Sequence, residues 1–220
     1  MIKQHYFDYG DTEVEWLKSR DPVLGNAIDE IGHINRPVIP DLFEALIHSI
    51  IGQQISTKAH TTIWARIQKD IDPVSPETIA GIPAEELQKY GITMRKAIYI
   101  KDVACSILSG NVDLGALNTL PDGEVCKRLA QIKGIGVWTA EMLMVFSMQR
   151  SNIMSWDDLA IHRGLRMLYR HRRITKALFA KYNRRYSPYS TVASLYLWAI
   201  AGGACPAMTD PAKNMRKTRS

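Results

Sequence analysis

Leu129-Ala130-Gln131-Ile132-Lys133-Gly134-Ile135-Gly136-Val137-Trp138-Thr139-Ala140 is the stretch whose reading decides the fold. A helical pattern opens at Leu120-Pro121-Asp122 and runs to Leu129, and a second spans Trp138–Met148, so the string reads as a tight hairpin between two helices. Its glycines alternate with an apolar residue. Glycine permits positive φ and lets a ligand approach the backbone with no Cβ in the way. Ile132 and Ile135 are placed to lock the turn by packing inward. The N–H groups at the start of the second helix point outward, which makes an anion site suited to a phosphate. The competing reading is a plain αα-corner, for which one Schellman glycine suffices.

Working outward, the rest of the chain also reads as helix after helix. Asp41 can cap LFEALIHSIIGQQ, whose Leu42, Ala45, Leu46, Ser49 and Ile50 follow helical spacing. Further helices are expected over 58–69, 94–108, 159–169, 175–186 and 189–201, with Pro73, Pro76 and Pro83 punctuating short turns between them. No six residues alternate cleanly between apolar and polar with hairpin turns at their ends. The fold class is therefore all-α, about ten helices with strand content near zero. Two lobes flanking a cleft are expected, discontinuous in sequence. Residues 1–40 with 160–205 would form one, residues 41–159 the other, and 206–220 a poorly ordered basic tail.

The 220 residues are 46% hydrophobic and 23% charged, an ordinary globular composition. Cys105, Cys126 and Cys205 are too few and too scattered for a disulfide framework or a four-cysteine metal site. No run of about 18 uncharged apolar residues occurs, which excludes a helical membrane span. The N-terminus lacks a signal-peptide apolar core, so a cytoplasmic location is expected. Net charge is +6, and its distribution is uneven: residues 1–158 carry 15 Lys/Arg against 21 Asp/Glu, residues 159–220 carry 13 against Asp210 alone. Such asymmetry points to a basic surface meeting a polyanion, nucleic acid first, or to a solvated basic face.

With these residues in view, LAQIKGIGVWTAEMLMVF resembles the helix-hairpin-helix of the helix-hairpin-helix–GPD superfamily of DNA glycosylases. WTAEM and LFEALIHSIIGQQISTKAHTTIW are similar to the bacterial 3-methyladenine DNA glycosylase II group. GITMRKAIYIKDVA, WDDLAIHRG and SPYSTVASLYLW follow in the family's order, so the resemblance covers residues from about 15 to 200. It implies a DNA-binding cleft and a monofunctional enzyme of base excision repair; the N-terminal β-domain of larger bacterial members is not expected in this chain. Such an enzyme flips alkylated purines (3-methyladenine, 7-methylguanine) out of double-stranded DNA and excises them with water. The alternatives are a glycosylase for deaminated bases such as hypoxanthine or uracil, and a non-catalytic damage-binding module.

The resemblance also assigns roles. Asp158 falls at the superfamily's essential aspartate, where a carboxylate stabilises the positive charge that develops on the sugar. Asp157 precedes it, but neighbours on an entering helix point about 100° apart, so at most one of them faces the sugar. Both also suit an N-cap. Gly134, Gly136 and Thr139 would hold phosphate through their N–H groups, and Gln53-Gln54 occupies the place of the wedge that fills the vacated gap, with Gln54 in register. Trp138, Trp198 and Met142 would line the base pocket, where electron-rich faces attract a cationic alkylated purine. Trp138 stands where bifunctional relatives carry lysine, and tryptophan forms no Schiff base. Arg163 would brace the Asp158 helix or approach phosphate, with Arg166, Arg170, Arg172 and Arg173 as a general basic face. The backbone carbonyls of Ala130, Ile132 and Ile135 fall where relatives often hold a monovalent cation. No other cofactor is implied: the four-cysteine iron–sulfur motif of some relatives is missing. A monomer acting on DNA is expected.

Overall fold

Small polar residues, each one step ahead of an apolar-periodic run, set where most helices begin. The structure is a computed structural model and describes residues 4–212. Along them run α1 (Asp11–Arg20), α2 (Pro22–Ile31), α3 (Leu42–Gly52), α4 (Thr57–Asp70), α5 (Pro76–Gly81) and α6 (Ala84–Gln88). There follow α7 (Met94–Leu108), α8 (Asp122–Ala130), α9 (Val137–Phe146), α10 (Leu159–Tyr169), α11 (Lys176–Tyr186) and α12 (Ser190–Gly202), with a 3-10 turn at Gly115–Thr119. Asp21, Asp41, Ser56, Ser75, Thr93, Asp158 and Thr175 each accept a first-turn N–H on a side-chain oxygen. The all-α expectation holds. The strands described are only β1 (His5–Tyr6) and β2 (Pro37–Val38), antiparallel with His5 opposite Val38 and Tyr6 opposite Pro37. Among the described residues no helix is long and apolar enough to cross a membrane.

The chain folds into two units, one from residues 1–38 with 149–220 and the other from 39–148. Residues 149–159, expected with the second lobe, belong to the first unit. The reason is hydrogen bonding: Thr191 at the start of α12 accepts from Ile153 N at 2.9 Å, donates to Arg150 O at 2.6 Å, and gives its own N–H to Ser151 O at 2.9 Å. The tail expectation also needs correcting over 206–212. Asp210 is buried and takes two hydrogen bonds from Arg166, 2.9 and 2.5 Å, while Cys205 just before it is buried. Residues 213–220 of that tail lie outside the described residues.

The 39–148 unit is built on α3. Leu46, Ile47, Ile50 and Ile51 are fully buried against α4, α7 and α9. Each such side chain stabilises by roughly 1.5–3 kcal/mol relative to exposure. Helices α8 and α9 pack on each other across the hairpin, and α5 and α6 lie on α7.

In the other unit, α10 packs chiefly on α12. Gly164 permits the crossing: a Cβ there would lie 2.3 Å from the Leu197 carbonyl oxygen. Helices α1 and α2 join through Asp21, almost wholly buried. One of its oxygens caps α2, and the other accepts from the Tyr169 hydroxyl at 2.6 Å and Arg185 Nη1 at 2.5 Å.

Candidate active site

The functional residues fall into two groups, one in each unit. The first centres on Asp158. Its Oδ1 accepts the N–H groups of Ala160 at 2.8 Å and Ile161 at 2.9 Å, so this carboxylate is the N-cap of α10. Asp158 is buried, Asp157 is exposed, and Leu159 is 83% exposed. The two carboxylates therefore do diverge, and the one in register with the motif is held by the fold. The approach to it is equally fixed: the Ser194 hydroxyl lies 3.2 Å from Ile153 O, and Ser155 is buried. A side chain that is already oriented costs no reorganisation when charge develops beside it.

Trp156, just before the pair, is half-buried and meets His162 and Phe179 edge to face, with ring centroids 4.6 and 5.2 Å apart. Burial pushes the His162 imidazole below its ordinary pKa, opposed by a backbone hydrogen bond to Trp156. His162 is thus a packing residue, its ring set against Trp156 and Phe179. Arg163 is half-buried on α10, and its charge helps hold the Asp210 carboxyl low, after the larger effect of the Arg166 hydrogen bond. Arg166 is therefore committed to Asp210 and does not stand free in a basic stripe. Trp198 lies half-buried on α12, the helix that seats α10.

The second group centres on the hairpin. Gly134 has φ +90°, and a Cβ there would come within 2.6 Å of the Tyr99 ring, so both backbone and space demand glycine. Gly136 differs. It is the N-cap of α9 in extended conformation, makes no side-chain cap, and has nothing within 4 Å of where a Cβ would stand. That open space above a helix N-terminus fits the close approach of an anion. Trp138 is 45% exposed in the first turn of α9, Met142 is half-buried one turn on, and Thr139 is buried. Of the two glutamines, Gln53 turns inward and donates its Nε2 to Gly134 O at 2.8 Å. Gln54 is exposed, with φ +57°.

Ile132 O accepts the Ile135 N–H at 2.9 Å, which closes the turn ahead of α9. No described cluster of three or more His, Cys, Asp or Glu could hold a metal.

Two cations beside the hairpin escape a reading by sequence. Arg95 donates Nε to the Tyr99 hydroxyl at 2.8 Å, and both its guanidinium carbon and Lys133 Nζ lie 5.4 Å from the Tyr99 ring centroid. Their clustering is visible only once α7 is laid against the hairpin. Thr191 and Ser194 were likewise hidden, about 40 residues from the loop they hold.

A helix-hairpin-helix with an open glycine cap, followed by a buried aspartate capping the next helix, defines a class. The chain belongs to the HhH-GPD superfamily of base excision DNA repair proteins, whose family model matches residues 47–188. It is 36% identical over 161 residues to the DNA-3-methyladenine glycosylase 1 of Schizosaccharomyces pombe, covering 71% of each chain. Its fold superposes on a DNA-3-methyladenine glycosidase crystal structure from Bacillus halodurans with TM-score 0.82, 32% identity, and coverage of 98% of this chain and 100% of that one. It also matches the S. pombe 3-methyladenine DNA glycosylase in complex with abasic DNA (TM-score 0.74, 30% identity, 87% of this chain and 97% of that one).

Proposed function

We propose that this protein is a monofunctional DNA glycosylase that flips alkylated purines, chiefly 3-methyladenine and 7-methylguanine, out of double-stranded DNA and releases them by hydrolysis. The observation that carries the reading is Asp158: a buried carboxylate, oriented by two backbone N–H groups, in a chain of this family. Breaking the N-glycosidic bond leaves positive charge on the sugar, and a fixed carboxylate lowers the energy of that state and steers the attacking water. An alkylated purine leaves as a neutral base from a cationic one, so the protein need supply little acid catalysis.

Extrusion of a stacked base costs a few kcal/mol. The hairpin offsets it by gripping the strand at Gly134, Gly136 and Thr139, and Gln54 fills the gap. Trp138 and Met142 on α9, and separately Trp198 on α12, offer faces for the cationic base, each aromatic face contributing roughly 1–3 kcal/mol. Trp138 also removes the nucleophile a lyase would need, so the product is an intact abasic site. A monovalent cation held by the Ala130, Ile132 and Ile135 carbonyls would stiffen the hairpin, and the protein works as a monomer without an iron–sulfur cluster.

The test is to incubate the protein with DNA treated with a methylating agent and identify the released bases by mass spectrometry, with hypoxanthine- and uracil-containing duplexes in parallel. Release of 3-methyladenine and 7-methylguanine, with no borohydride-trapped adduct, is the expected result. Release from the deaminated duplexes alone overturns the substrate assignment. A trapped adduct overturns the water mechanism.

A further inference from the structure

Three hydrogen bonds converge on the turn after α3. Lys96 Nζ, reaching from α7, donates to Ile51 O at 2.8 Å and to Gln53 O at 2.5 Å. Gln53 Nε2 in turn donates to Gly134 O at 2.8 Å. The carbonyls at a helix C-terminus lack intrahelical partners and sit at the negative end of the helix dipole, so an ammonium is a strong partner there. From below, the turn rests on α4: a Cβ on Gly52 would lie 2.7 Å from the His60 ring, and His60 Nε2 is itself 2.9 Å from His48 O. Next to this clamped turn Gln54 is exposed, with a left-handed backbone that a non-glycine residue adopts at a cost. A fold that merely ended α3 would need neither the strained tip nor a side chain spent on the hairpin carbonyl.

We propose that Lys96 and Gln53 are positioning residues that clamp the turn bearing Gln54 onto the helix-hairpin-helix, so that the residue filling the gap and the element gripping phosphate act on DNA as one piece. The inference rests on the reading of Gln54 and the hairpin given under Proposed function. Its physical content is that insertion at one point helps extrusion only if the strand is held at a fixed distance from it. The same helix carries an internal control. Lys101 makes the equivalent contacts with another helix end, donating to Ala80 O at 2.9 Å and Ile82 O at 2.5 Å, with no part in the hairpin or the turn. Stability alone should treat the two lysines alike.

The experiment measures single-turnover excision of one alkylated base, once opposite its normal partner and once in a mismatch, where extrusion is already cheap. Lys96→Met and Gln53→Ala are expected to slow excision from the normal pair by about tenfold or more, and from the mismatch by less than about threefold. Lys96→Arg, which can still donate to both carbonyls, recovers most of the normal-pair rate. Lys101→Met leaves the ratio of the two rates at the wild-type value, whatever it does to the melting temperature. Equal losses on both substrates, no loss on either, or a Lys101→Met variant that reproduces the split would overturn the clamp. Should the wild type release no base at all, the glycosylase reading falls separately. The clamp is then judged by fluorescence of 2-aminopurine in the duplex: brightening by the wild type but not by Lys96→Met supports it, and equal brightening or none overturns it.

Discussion

Two helix N-termini in this molecule solve the same electrostatic problem in opposite ways. Each presents N–H groups that no helical carbonyl can reach. At α10 the chain supplies its own anion: Asp158 accepts from Ala160 and Ile161 and is buried in doing so. At α9 the cap is Gly136, with no side-chain acceptor and open space where a Cβ would be. Seven of the twelve described helices are side-chain capped, and α9 is among the five that are not. The difference teaches how one local device yields two outcomes. An internal carboxylate is fixed in place at α10, and room for an external anion is left at α9.

The sharpest way to break this comparison is to remove the charge at α10. Asp158→Asn keeps the size and the capping oxygen, so the helix start survives. Excision is expected to fall by about three orders of magnitude or more, roughly 4 kcal/mol of lost transition-state stabilisation, while melting temperature changes little. Asp157→Asn, at an exposed site, should lose far less in the same single-turnover assay. Comparable losses accompanied by a lower melting temperature would make both carboxylates mere caps.

The next largest effect concerns the seat of α10. Gly164→Ala drives a methyl group against the Leu197 backbone, which cannot swing aside as a side chain would. A loss of about 3 kcal/mol in stability is expected from such overpacking, read by urea unfolding. Excision should fall with it because Asp158 lies two turns earlier on the displaced helix. A substitution of the same size at Gly136 meets no atom and should cost little stability.

Acid probes both units through half-buried histidines. Burial, reinforced by the nearby His60, pushes the His48 imidazole down to about 4, and burial also lowers His162. The unfolded chain takes up these protons at about pH 6.5, before the folded protein does, so stability rises with pH across this window. It is complete above about 6.5 and is lost as pH falls toward 4. With partial exposure discounted, His48 should contribute about 1 kcal/mol of the difference between pH 7 and pH 5. His48→Phe should flatten the pH dependence of unfolding more than His162→Phe; the reverse order would contradict the burial argument.

Much of this architecture is legible in the sequence because it is local. The Gly134–Gly136 hairpin, the Asp41 and Asp158 caps and the divergence of Asp157 from Asp158 depend on residues within one or two turns. What escapes is set by distant partners. Residues 149–159 have no periodicity to assign them, and their unit is chosen by Thr191, nearly 40 residues on. Arg166 reads as one more basic residue until Asp210, 44 positions later, folds back on it. Lys96 looks like the polar face of an amphipathic helix, since nothing in its neighbours tells that a helix end lies within reach. Gly164 did leave a trace. A glycine inside a helix costs roughly 1 kcal/mol against alanine, which calls for a close contact in compensation, though not for the identity of that contact.

The smallest effect is also the most direct on the comparison, because it makes α9 resemble α10. Gly136 has φ −87° and ψ 172°, an extended conformation that aspartate adopts freely, and its Cβ position is empty. Gly136→Asp should therefore fold without strain, and its carboxylate should take the first-turn N–H groups of α9 as Asp158 does at α10. Asparagine or aspartate at an N-cap exceeds glycine by a few tenths of a kcal/mol, so the melting temperature should hold or rise slightly. DNA affinity should move the other way. The phosphate seat is now filled, and a fixed negative charge stands in front of it, which together should weaken binding by about tenfold, or roughly 1.4 kcal/mol. Gly136→Asn separates the two causes, since it fills the seat without the charge and should lose only part of that affinity. Titrating abasic-site DNA at several salt concentrations supplies the last check. The Asp variant should also show a shallower salt dependence, by about 0.9 in log–log slope, if one phosphate contact is lost. A stabilised Gly136→Asp variant that binds DNA as tightly as the wild type would mean that α9's open N-terminus is not where phosphate sits.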